Sequence, residues 1–591
     1  MRKLGLNVRR KSGWWPVPLP SQSVFPGVLQ REFEGQLREF IRERRVQRLW
    51  QGDSTLWPRQ LTEYSPALRK LDWVSLPKHL PHFLGMLTKI IENADAEGLL
   101  DHALLALESL NLSVRAALEF CQNSCTRKIT IFDSTSPDLL RQNEQQLNFA
   151  RTLFVLSNKT HYWLRDQCLF LYLRDQLERI VGANATRQFV SETEPDSYLA
   201  MVSRSYTFRE IQSDTSAVPA PFCSLTQFAA FLLASGFGKP EQILPAVQEI
   251  QAACSDTETR EANPAVQLAA FLTTLMAGGR PYLLLLASPS LVAYSRRLGQ
   301  MIGGSLAQVS PGIVPVTGAI PDVTGYENEV GVVALTAATV NHEPVNECVA
   351  RLRAHGTPIV HLELRDSFSL LTESFKWEAA TILASSRVGL DPFEMADNRL
   401  PRHFCRELLD ELSRGRNLLQ RSARITDRLI QLYADGVARQ EISLLSLADG
   451  LRTFFRIVTP AKHISLIVEI AAWDTVYSKF NELRALLSRA LKRPVLMMFG
   501  PHNREYSTYF FRDSLPSGLC ILFTADPLED QAIPGASYTF GQLHQALSLS
   551  EYDTLVHCDR PVIRLHLSQE LPAALEQLLQ VFAQAVHRFT P

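Results

Sequence analysis

Short apolar runs alternate with helical patterns over most of the chain. The runs at 103–107, 129–132 and 152–156 read as strands, each followed by apolar positions at helical spacing. The rhythm weakens between about 236 and 264, where Gly236, Gly238, Pro240 and the polar run Ser255 to Asn263 predict a connection. It restarts with strands at 282–287, 331–335 and 358–363, then helices from 403 to 456, and a last αβ segment from about 464 onward. Tyr282 to Ala287 is apolar throughout, the pattern of a parallel strand covered on both faces. Such alternation predicts an α/β fold with parallel sheets flanked by helices. The divisions expected are 1–60, a polar, Pro-rich arm with a charged helix from about Gln30 to Arg48; 61–250, a first αβ domain; 251–456, a second with trailing helices; and 457–591, a C-terminal αβ segment.

Length and composition narrow this picture modestly. At 591 residues the chain is too long for one core. Its 46% hydrophobic and 20% charged content is that of an ordinary globular protein. A formal net charge of -1 gives no reason to expect nucleic acid or an anionic membrane as partner. The basic N-terminus (Arg2, Lys3, Arg9, Arg10, Lys11) leads into Gly13-Trp14-Trp15-Pro16 and reads as a solvated arm, not a signal peptide. No run approaches the about 20 apolar residues that span a bilayer. The nine cysteines are scattered, and Cys121 and Cys125 have no second pair to complete a zinc site. A cytoplasmic protein with reduced thiols, no metal and no cofactor is expected.

The segment from Ser374 to Arg402 carries the sharpest motif: Trp377-Glu378-Ala379-Ala380-Thr381, then Gly389-Leu390-Asp391-Pro392-Phe393-Glu394. It resembles a signature of the glucose-6-phosphate isomerase family, in which a Trp-Glu-x-Ala-Thr helix leads into an Asn-Pro-Phe-Asp-Gln-Pro turn. Further segments are similar in order and spacing: Leu49-Trp50 with Asp53-x-Thr55-Leu56-Trp57, Asp133-Ser134-Thr135-x-Pro137, Ala287 to Leu291, Gly312 to Val316, Thr524-Ala525-Asp526 and Ile533 to Phe540. Together they cover roughly residues 45–585. The match is nearest to the isomerase half of bacterial transaldolase/glucose-6-phosphate isomerase proteins. The resemblance implies two tandem sugar-isomerase (SIS) domains and a sugar phosphate as ligand.

The residues that carry the family's chemistry are altered. An aldose–ketose isomerase needs a base for proton transfer and positive charge for the enediolate oxygen and the phosphate. By resemblance the base falls at Gly304, within Gly304-Ser305-Leu306-Ala307-Gln308. The family's arginine falls at Pro221, its lysine at Arg402, and its ring-opening histidine at or beside Arg512. Its Ser-Gly-Thr-Thr phosphate loop falls after Ser157, where Asn158, Lys159, Thr160, His161, Tyr162 and Trp163 stand. Its first Gly-rich turn is replaced by Ala106-Leu107-Glu108-Ser109-Leu110-Asn111. Loss of a general base costs about 10²–10⁴-fold in rate. The reading is an isomerase-like protein without catalytic residues, in a binding or scaffold role toward a protein partner or a second copy. Two alternatives stand beside it. One is an active isomerase using relocated groups such as Glu373, Glu378, His161 or Arg512. The other is a sugar-phosphate sensor using Ser157, Lys159, Thr160, His161, Ser305, Arg402 and Arg512.

Overall fold

A computed structural model describes residues 27–57, 71–105, 109–121, 125–157, 164–193, 197–212, 218–257, 262–307, 311–318, 320–338, 342–393, 399–417, 419–457, 463–471, 473–500, 518–587 and 589. The Trp14-Trp15 arm, Lys159, Thr160, His161, Tyr162, Trp163 and Arg512 lie outside these residues.

Three sheets organise the chain. Strands β1 (Asp101–Leu105), β2 (Ile129–Phe132), β3 (Thr152–Ser157), β4 (Phe189–Thr193) and β5 (Arg209–Gln212) make the first, wholly parallel, in the order β2-β1-β3-β4-β5. Strands β6 (Tyr282–Ala287), β7 (Val314–Val316), β8 (Val330–Ala337) and β9 (Ile359–Leu364) make the second, also parallel, in the order β7-β6-β8-β9. The third contains β10 (Ile425–Asp427), β11 (Ile430–Ala434), β12 (His463–Glu469), β13 (Val495–Phe499), β14 (Gly518–Ala525) and β15 (Val562–Leu567). Its order is β10-β11-β15-β14-β12-β13, with β12 to β15 mutually parallel and β10 and β11 antiparallel.

The α/β class with parallel sheets flanked by helices is the one read from the sequence. Its physical basis is clearest at β6. Alternate residues of a strand face opposite sides. Leu283 and Leu285 enter a helical core with Trp377 and Leu298, while Tyr282, Leu284 and Leu286 pack against Ile467, Leu496 and Leu522 of the third sheet. Both faces are dry, so every residue of β6 is apolar or small.

Two stretches differ from expectation. The connection foreseen at 236–264 holds a helix, Pro240–Ser255, whose Ile243, Ala246, Val247, Ile250 and Cys254 form a buried stripe. Gly236, with φ of 79°, and Pro240 at the first helical turn punctuate its start without preventing it. Within the helices expected from 403 to 456, residues 425–434 instead form β10 and β11, which extend the third sheet beyond β15. The charged helix near the N-terminus is two, Gly27–Arg42 and Arg45–Trp50, separated at Arg44, which has a left-handed backbone.

Candidate functional site

The helix Ser367–Val388 carries the Trp377 motif through the middle of the protein. Asp366 caps its start by accepting from the Ser369 amide at 2.9 Å, and Gly389, at φ 76°, ends it. Trp377, Glu378, Ala380 and Thr381 are all fully buried. A charge so placed must be met by donors. Glu378 Oε2 accepts from Trp73 Nε1 at 2.9 Å, and Oε1 accepts from the Ser224 amide at 2.9 Å. Arg297 lies 3.8 Å from Oε1; its Nε donates to Ser113 Oγ at 3.0 Å and its Nη2 to the Pro221 carbonyl at 2.7 Å. Ser113 donates onward to Gln227, which donates to the Ala220 carbonyl. Burial pushes the Glu378 carboxyl up, opposed by Arg297 and by the hydrogen bonds from Ser224 and Trp73. Glu373, on the same helix, is buried and paired with Lys376 at 2.5 Å. Both carboxylates are therefore engaged within the core.

Several positions singled out by the resemblance do converge. Ser305, beside Gly304 near the end of the helix Val292–Leu306, donates to the Pro392 carbonyl at 3.1 Å. Phe393 N donates to Asp391 Oδ1 at 2.9 Å, closing that turn. The Phe393 ring meets Phe222, next to Pro221, edge-on at 5.1 Å, and Trp57 at 6.1 Å. Thus Pro221, Ser305 and the Asp391 turn are neighbours, joined by packing and backbone hydrogen bonds. Arg402 sits on another helix, Arg399–Ser413, whose Cys405, Leu408 and Leu409 pack in a cluster with Phe540, Leu543 and Leu547. Ser157, at the end of β3, donates its hydroxyl to Glu192 of β4 at 3.0 Å.

A larger opening lies elsewhere, where the carboxyl ends of strands from all three sheets approach one another. This cleft has a volume of about 650 Å³ and is lined by Asp133 and Ser134 after β2, Thr317 after β7, Glu469 of β12 and Phe499 of β13. Arg115 grips Asp133 Oδ2 through Nε and Nη2 at 2.8 and 2.6 Å. Arg296 lies over the Tyr477 ring at 5.2 Å. Glu119 accepts from the Ala293 amide at 2.9 Å, so a protein carboxylate already occupies the N-terminus of the helix Val292–Leu306. Asp133 and Thr135 were noticed in the sequence as fold landmarks. Their partners Arg115 and His544 were not, because neither stands in a recognisable motif.

All nine cysteines are free thiols, and burial with the nearby Cys125 pushes the Cys121 thiol up to about 12, far from a reactive thiolate. Among the described residues, no group of three or more His, Cys, Asp or Glu is placed to hold a metal ion. No described helix is long and apolar enough to cross a membrane.

No protein-family model matches the sequence, and no curated relative does. Solved structures do match the fold. A hypothetical protein of Thermus thermophilus superposes with a TM-score of 0.52 at 16% identity, covering 65% of this chain and 96% of that one. A glucose-6-phosphate isomerase from Chlamydia trachomatis gives 0.47 at 15% identity, covering 65% and 86%. Tagatose-6-phosphate ketose/aldose isomerase from Escherichia coli gives 0.38 at 11% identity, covering 54% and 94%. The likeness is one of fold, and the first of these carries it.

Proposed function

We propose that this chain uses a sugar-isomerase type of fold for binding, without isomerase chemistry. The observation that carries the reading is the fate of the carboxylate within the retained motif. Glu378 is fully buried and held by Trp73, Ser224 and Arg297, while Gly304 brings no acid or base of its own. A general base must reach a substrate proton at hydrogen-bonding distance. A carboxylate enclosed by protein donors cannot do so without dismantling the core around it.

The sugar-phosphate sensor reading has less support. The Ser157 hydroxyl is directed to the Glu192 carboxylate and that of Ser305 to the Pro392 carbonyl. A carboxylate beside Ser157 repels a phosphate instead of holding it. The test is a coupled assay of fructose 6-phosphate to glucose 6-phosphate with the purified full chain. Rates at the level of protein-free buffer are expected. Turnover that co-purifies with the protein and falls on Glu373→Gln or Glu378→Gln substitution, in a variant that stays folded, would overturn the proposal.

A further inference from the structure

The third sheet repeats the strand order of the first two. Reading the parallel strands of each unit as first to fourth, the orders are β2-β1-β3-β4, β7-β6-β8-β9 and β13-β12-β14-β15. In each, the connection from the first strand runs to one side of the sheet and that from the third strand to the other. A crevice therefore opens between the carboxyl ends of the first and third strands, the place where open α/β sheets bind ligands. In the second sheet that crevice is shut. Ser288, fully buried, donates its amide to the Leu335 carbonyl at 2.9 Å and accepts from the Ala337 amide at 3.3 Å, with Leu291 buried behind it. In the third sheet it is open. A cavity of about 180 Å³ lies over the ends of β12 and β14 and meets the larger cleft at Ser136, Glu469, Ile470 and His544.

We propose that this cavity binds a small uncharged polyol of monosaccharide size. Its polar groups are fixed in place by the fold. His544 is held between Thr135 Oγ1, 3.1 Å from Nδ1, and Glu469, whose carbonyl and carboxylate lie 3.2 and 4.0 Å from Nε2. His566 is held likewise between Thr524 Oγ1, 3.0 Å from Nδ1, and Asp526, 3.4 Å from Nε2. Arg564 donates to the same Thr524 hydroxyl at 3.4 Å. Two imidazoles, each braced by a threonine and an acidic residue, give a preorganised lining. The exposed Asp526 carboxylate accepts from ligand hydroxyls, while the Glu469 carboxylate, fully buried, acts through the imidazole of His544 that it braces; the half-buried Trp473 adds apolar surface to the same lining. The size is suitable: a cavity of about 150 Å³ holds a benzene ring.

A phosphorylated ligand fits this lining poorly. Asp138, Glu469, Asp526 and Asp530 surround the space. The arginine of the lining, Arg564, is buried with its guanidinium 3.7 Å over the Tyr433 ring. The site draws on the third sheet and on Thr135, Ser136, Pro137 and Asp138 of the first unit, and on none of the positions where the resemblance places catalytic groups, so its test is separate from that of isomerase chemistry.

Calorimetric titration of the full chain with D-glucose, myo-inositol, D-glucosamine and glucose 6-phosphate tests the proposal. Saturable binding of glucose or inositol is expected, weakened about tenfold or more by Glu469→Gln and by Trp473→Ala, with glucose 6-phosphate at least about tenfold weaker than glucose. Thermal unfolding checks each variant. Asp526→Asn, at a side chain 55% exposed, weakens binding about threefold and serves if Glu469→Gln does not fold. The proposal is overturned by no saturable binding of either neutral polyol at tens of millimolar. Binding of glucosamine or the phosphate alone, or polyol binding indifferent to all three substitutions, overturns it too.

Discussion

Glu378 and Glu469 are both carboxylates without side-chain exposure, yet they do opposite things in the structure. Glu378 lies in the core shared by the first two units, where an indole, an amide and a guanidinium close around it. Glu469 lies at the end of β12 on the wall of two connected cavities, with an imidazole beside it. A buried charge is therefore no mark of a functional site in this protein; what sets Glu469 apart is the part-exposed imidazole it braces at the edge of open space. The family-like motif leads to the first kind, and the unremarked end of an apolar strand leads to the second.

The comparison is broken most directly by removing each acid. Glu378→Ala leaves Arg297 buried without its counter-charge and two donors without an acceptor, at an expected cost of about 3–5 kcal/mol. Glu469→Gln keeps its shape and its polar neighbours, with an expected change of about 1 kcal/mol or less. Urea unfolding midpoints of the two variants measure the contrast. Equal losses would mean that Glu469 is as much a core residue as Glu378. Pairing Glu378→Gln with Arg297→Met should recover part of the loss, because replacing both members of a buried pair removes the stranded charge.

Much of the fold was legible because its central strands are buried on both faces. Largely apolar runs reveal β1, β2, β3, β6 and β8, while β9, an edge strand with His361 half-buried and Glu363 exposed, shows itself by its remaining apolar residues. Strands β10 and β11 were hidden by polar residues such as Thr426, Asp427 and Gln431, which a short strand on the outer flank of a sheet can expose. The proposed loss of chemistry was legible as an absence: Gly304 and Pro221 stand where the resemblance implies a base and an arginine. What the sequence could not show is that Arg297 serves Glu378, or that Thr135 meets His544, since these partners come together only through the packing of separate units. Polar residues that end an apolar strand, Glu469 after Val468 and Thr524 to Asp526 after Phe523, sit where α/β sheets place their ligand contacts.

A pH titration sharpens the contrast between the two regions by finding what they share. His102 of β1 and His463 of β12 occupy the amino-terminal ends of equivalent strands, and burial holds both imidazoles down at about 4. Around His102, Arg127 adds to the depression while Asp95 and Asp101 oppose it; near His463, Arg560 adds to it. The unfolded chain protonates near pH 6.5, so the stability tied to each neutral ring is complete above that value. It declines as the pH falls toward about 4, by about 3 kcal/mol per histidine. The raised carboxyls of Glu378 and Asp138 act in the opposite direction, so the comparison must be with variants. His102→Leu and His463→Leu should each flatten the slope of unfolding free energy between pH 6.5 and 4. An unchanged slope in both would remove these histidines from the account.

A further contrast between the same two strands turns on a single added methyl group. Across from His102 on β3 stands Leu153, whereas across from His463 on β14 stands Gly518. A β-carbon at Gly518 would lie 2.4 Å from His463 Nε2 and 2.8 Å from two ring carbons. The ring has little room to retreat, since it is fully buried and meets Tyr282 edge-on at 6.2 Å. Overpacking of this kind costs about 1–3 kcal/mol. Gly518→Ala should lower the urea midpoint accordingly, and most of the loss should vanish in a His463→Ala background, where the methyl group gains the space the imidazole held. A loss that persists in that background would place the strain in the β14 backbone and not in the histidine, and the third sheet's use of glycine would need a different cause.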